Sequence, residues 1–75
     1  MQRTILRNLD QAHNGMMAMP TLWAEVSLDL HGSAYTEFRA AIAALEVKEQ
    51  IIVIKGEDRL KVKITDAGRA RLLEP

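Results

Sequence analysis

The side chains best placed to do chemistry are cations crowded into one stretch, IKGEDRLKVKIT, at residues 54–65. Lys55, Arg59, Lys61 and Lys63 stand there, and the last three alternate with Leu60, Val62 and Ile64. The chemistry open to them is ionic rather than covalent: charge-assisted hydrogen bonds to phosphate oxygens or carboxylates. Glu57 and Asp58 share the tip of the same stretch and oppose deep entry into an anionic groove. Two plainer explanations compete. Alternation puts charges on the wet face of any half-buried strand, and edge strands carry lysine to discourage pairing with other chains.

Other chemistries find little support. His13 and His31 lie far apart with no cysteine companion, so neither a metal nor a cofactor is expected. Ser27 and Ser33 lack a His/Asp pair to activate them, and no glycine-rich phosphate loop is present. The chain is therefore not read as an enzyme. Met16, Met17 and Met19 with Trp23 can fill a small core or, if exposed, form an adaptable docking patch, and Leu72 and Leu73 offer a second such surface.

The elements that must position these residues follow from periodicity. Ile5, Leu6, Leu9 and Ala12 predict an amphipathic helix over 2–13, closed by Asn14 and Gly15, which tolerate a left-handed backbone. Residues 16–19 predict a short extended strand. Pro20 suits the first turn of a second helix with Leu22, Trp23, Val26 and Leu30 inward. After a break at 30–33, Ser33 is a good N-cap for a helix over 34–48. Ala34, Phe38, Ala41, Ile42 and Leu45 form its apolar stripe, while Thr36, Glu37, Arg39, Ala40 and Ala43 fall away from it. The β-branched run 51–54 and the alternating run 60–64 predict a hairpin joined by Gly56-Glu57-Asp58. Thr65 caps a last helix, with Asp66 in its first turn. Gly68 inside that helix costs about 1 kcal/mol of propensity relative to Ala, and implies close approach of another backbone, the hairpin being the candidate.

Seventy-five residues allow one domain, 1–75, that buries about 60–65% of the surface its unfolded chain exposes. The absence of cysteine rules out disulfides. No apolar run reaches the ~20 residues needed to span a bilayer, and no signal-peptide core precedes the fold. A cytoplasmic protein without membrane contact is expected. Net charge is zero, but it is unevenly spread. Residues 19–50 carry Arg39 and Lys48 against Glu25, Asp29, Glu37, Glu46 and Glu49, for −3. Residues 51–71 carry Lys55, Arg59, Lys61, Lys63, Arg69 and Arg71 against Glu57, Asp58 and Asp66, for +3.

The predicted order is helix, strand, helix, helix, β-hairpin, helix, an α+β and mainly helical arrangement. With FRAAIAALE before the hairpin and ITDAGRARL after it, it resembles the winged helix-turn-helix domain of small bacterial and phage transcriptional regulators. The second motif is similar to the I/L-T-x-x-G-R-x-x-L run that follows the wing in MarR-like and PadR-like regulators. The resemblance implies that helix 34–48 enters the major groove of double-stranded DNA through Tyr35, Thr36, Glu37, Arg39, Ala40 and Ala43. It makes hairpin 51–64 a wing whose Lys55, Arg59, Lys61 and Lys63 meet the backbone, with Ser33 near a phosphate. It further implies a homodimer on a palindromic site, since one domain covers a half-site. The small size would suit a phage or mobile element. The acidic segment 19–50 keeps a second expectation open, a winged helix that binds a protein partner instead of DNA.

Overall fold

The computed structural model describes residues 1–32 and 34–74. The chain forms α1 (Gln2–Gln11), a 3₁₀ turn (His13–Gly15), β1 (Met16–Ala18), α2 (Met19–Asp29), α3 (Tyr35–Val47), β2 (Ile51–Lys55), β3 (Leu60–Ile64) and α4 (Asp66–Leu72). The fold is α+β and mainly helical, with one three-stranded antiparallel sheet in the order β1-β3-β2.

One core holds both layers. Ile5, Leu6 and Leu9 of α1, Leu22 and Val26 of α2, Phe38, Ile42 and Leu45 of α3, and Ile51, Val62 and Ile64 of the sheet are all buried together. Each helix contributes an apolar stripe and each strand alternate residues, as the 3.6- and 2-residue periods require. All the helical residues in this core meet the same face of the sheet.

Several boundaries shift from the sequence expectation. Helix α1 stops at Gln11, because Ala12 turns extended and Asn14 takes a left-handed φ of 58°. Only Met16–Ala18 is extended, since Met19 already belongs to α2 with Pro20 in its first turn. Met19 is buried, and Met17 and Trp23 pack against the core, so most of this group fills space inside the fold. Leu72 also packs inward, while Leu73 is exposed. The anticipated cap Ser33 lies outside the described residues. The N-cap position of α3 is Ala34, which makes no side-chain capping bond and is exposed rather than part of the apolar stripe.

The lysine-bearing strand is not an edge. β3 lies between β1 and β2, so Lys61 and Lys63 cannot serve to guard a sheet edge. Their register partners are Ala18 and Met16 on one side and Ile54 and Ile52 on the other.

The motif ITDAGRARL has a physical basis at the start of the hairpin. Thr65 Oγ1 accepts from the Gly68 N–H at 3.1 Å and donates to the Glu49 carbonyl at 2.7 Å. The Thr65 N–H donates to the Gln50 carbonyl at 3.1 Å. A side chain at Gly68 would run into that same carbonyl and into Ile64 at 2.8 Å. The backbone that demands glycine is therefore the residue leading into β2. Arg71 completes the joint, donating to the side-chain oxygens of Gln2 at 2.6 Å and Gln50 at 2.9 Å.

Candidate nucleic-acid interface

Helix α3 presents Tyr35, Thr36, Glu37, Arg39, Ala40 and Ala43 to solvent. Thr36, Ala40 and Ala43 recur at helical spacing, and Val47, 84% exposed, continues the line. The result is a low-profile stripe flanked by Arg39, which lets another surface approach the helix closely. Val47 was not among the sequence candidates, although extending the 36, 40, 43 spacing by one turn points to it.

Aromatic packing sets how α3 sits on α2. Trp23 lies edge-on to Tyr35 with centroids 5.3 Å apart, and 5.2 Å from Phe38. Tyr35 thus anchors one side of its ring while 47% of the residue stays exposed. It serves the helix–helix joint and remains available at the surface.

The cations divide into two groups by what they touch. Arg3 donates to the carbonyls of Arg71, Leu72 and Glu74 at 3.0–3.4 Å, closing the C-terminal end of α4. Arg69 bonds Asp10 at 3.2 Å and lies 3.8 Å from Asp66. Arg71 is held by Gln2 and Gln50. These arginines, which include two of the six cations of residues 51–71, serve the scaffold. Arg39, Lys55, Arg59, Lys61 and Lys63 form no salt bridge among the described residues. Exposed Arg7 on α1 and Lys48, which donates to Gln2 at 3.4 Å, form none either, so α3 and the hairpin hold only part of the unpaired charge.

The hairpin cations do not all face one way. Lys55 pairs with Leu60 and shares the side of Val53 and Val62, the side on which the helices lie. Lys61 and Lys63 stand on the opposite side with Ile52 and Ile54. Arg59 sits in the loop beside Glu57 and Asp58. That loop is tight: the Gly56 N–H donates to the Arg59 carbonyl at 2.9 Å, and a Cβ on Gly56 would lie 2.7 Å from that oxygen. Among the sequence candidates on the hairpin strands, Lys55 shares the side of the sheet on which the helices lie, and Lys61 and Lys63 do not.

His31 is exposed in the turn before α3. Among the described residues no three His, Asp or Glu side chains gather to hold a metal ion, and no helix is long and apolar enough to cross a membrane. No family model, curated protein or solved structure matches the chain.

Proposed function

We propose that the chain is a winged helix DNA-binding domain acting as a small transcriptional regulator, without catalysis. The observation that supports this reading is that Arg39 on α3 and Lys55 and Arg59 on the hairpin that directly follows it form no salt bridge among the described residues, with Lys55 on the helix side of the sheet. In this reading α3 lies in the major groove, where the low Thr36, Ala40 and Ala43 surface admits the helix closely. Arg39 reads a guanine edge, a contact worth about 1–3 kcal/mol of discrimination. Lys55 and Arg59 bond phosphates from the wing tip. Lys61 and Lys63, on the far side of the sheet, draw DNA in through the field they create rather than by touching it.

The exposed Val47, Ile52 and Ile54 beside Glu46 and Glu49 favour the second reading, a docking surface for a protein partner. Titration of labelled random duplex DNA at two salt concentrations separates the two. DNA binding predicts micromolar affinity that falls steeply with salt, with a log–log slope of about −2 to −4 for two to four phosphate contacts. Absence of binding at low salt overturns the DNA reading and leaves the adaptor.

A further inference from the structure

Asn14-Gly15 is the only asparagine–glycine pair in the chain, and such a pair has a chemistry of its own. The backbone nitrogen of the glycine can attack the side-chain amide carbon of the asparagine, because glycine has no side chain to hinder the approach. Base removes the Gly15 N–H proton, a C–N bond closes a five-membered succinimide ring, and the Asn14 side-chain nitrogen leaves as ammonia. Water then opens the ring at either carbonyl. One product is aspartate at position 14. In the other, isoaspartate, the main chain runs through Cβ and is longer by one methylene. One water is consumed and one ammonia released, with no oxidant or cofactor.

The fold blocks the first step. Ring closure needs the Gly15 nitrogen to eclipse the Asn14 Cβ, since both belong to one nearly planar ring. Asn14 is held instead at φ 58° and ψ 18°. At that ψ the Gly15 nitrogen nearly eclipses the backbone nitrogen of Asn14, and Cβ stands well round from it on the tetrahedral Cα. The Gly15 N–H also donates to the Ala12 carbonyl at 2.9 Å, which opposes its deprotonation. Gly15 is buried, and a Cβ placed on it would lie 2.8 Å from both Arg69 Nη2 and Ile64 Cγ2. The covering Arg69 is fixed in turn by Asp10 at 3.2 Å. Asn14 itself is exposed, so water reaches the amide whenever the turn opens.

We infer that Asn14 is a latent modification site: it deamidates when the 3₁₀ turn opens, and the isoaspartate product keeps the turn from closing again. Aspartate tolerates a left-handed backbone as asparagine does, so that product returns to the native turn. Isoaspartate inserts its methylene between position 14 and Gly15, inside the turn closed on the Ala12 carbonyl. Gly15 has no room to take up the added length, lying as it does against Arg69 and Ile64. β1 begins at the next residue, with Met16 beside Lys63 of the central strand, so loss of the turn strikes the β1–β3 pairing. A transient opening is thereby converted into a lasting covalent change. The inference goes beyond the DNA reading and holds whether or not the chain binds nucleic acid.

Incubation of the full chain at mildly alkaline pH, folded and in guanidinium, followed by peptide mass spectrometry, tests it. Asn8, followed by Leu9, serves as the internal reference. Conversion at Asn14 should be at least about tenfold slower in the folded chain than in the unfolded one. Arg69→Ala, which uncovers Gly15, should speed conversion of the folded chain several-fold. If that variant does not fold by circular dichroism, the comparison of folded and unfolded parent chain decides. After refolding, chains carrying isoaspartate should melt lower than the parent, while Asn14→Asp melts with it. Equal rates in the folded and unfolded chain overturn the inference, as does an isoaspartate product as stable as Asn14→Asp. A folded Arg69→Ala that converts no faster than the parent overturns the role of Arg69 as the cover.

Discussion

The carbonyl oxygen of Gln50 lies against the Cα of Gly68, leaving no space for a β-carbon between them. This approach joins the strand entering the hairpin to the helix leaving it. The carbonyl is held by the Thr65 N–H at 3.1 Å, so it cannot swing aside. Ile64 and Leu6 close the remaining space at 2.8 and 3.1 Å.

Gly68→Ala should therefore destabilise the fold although alanine is the better helix former. Overpacking of this kind costs about 1–3 kcal/mol. Thermal unfolding should show a fall of roughly 4–8 °C for each kcal/mol in a domain of this size. An unchanged or raised midpoint would refute the close approach.

Thr65→Ala removes two bonds at once, the cap to Gly68 and the tie to the Glu49 carbonyl. A loss of about 1–2 kcal/mol is expected in urea unfolding. Thr65→Ser keeps the hydroxyl and should recover most of it. Equal losses in the two variants would mean that the methyl group, not the hydroxyl, carries the effect.

The two sides of the hairpin should respond differently to charge reversal. Lys55→Glu/Arg59→Glu should weaken DNA binding sharply and flatten its salt dependence by about two units of slope. Lys61→Glu/Lys63→Glu should slow association while leaving the dissociation rate nearly unchanged. Stopped-flow measurement of both rates distinguishes contact from steering, and identical behaviour of the two variants would contradict the division.

Phe38 and Tyr35 both touch Trp23, but only Phe38 is fully buried. Phe38→Ala should cost about 3–5 kcal/mol and bring the domain near unfolding at ordinary temperature. Tyr35→Ala should cost about 1 kcal/mol, in line with a partly exposed aromatic pair. It should also shift Trp23 fluorescence to longer wavelength as water reaches the indole. No spectral shift would mean that Tyr35 does not shield the ring.

The amino-acid sequence by itself determined the elements and their order. Phe38, Ala41, Ile42 and Leu45 name the buried face of α3, and Leu60, Val62 and Ile64 name the core face of β3, because local periodicity reports directly on which side is dry. Thr65 announced the start of α4 for an equally local reason, as its hydroxyl serves an N–H three residues ahead. What depends on pairing distant segments was decided only in the tertiary structure. Nothing near Lys61 reveals that β1 closes on its strand from far earlier in the chain, turning an apparent edge into the centre of the sheet. Nor does spacing separate Arg69 and Arg71, bound to Asp10, Gln2 and Gln50, from the cations that stay free. A cation's role follows from which acceptors the fold brings within reach, and contacts across many residues leave no period in the chain to read.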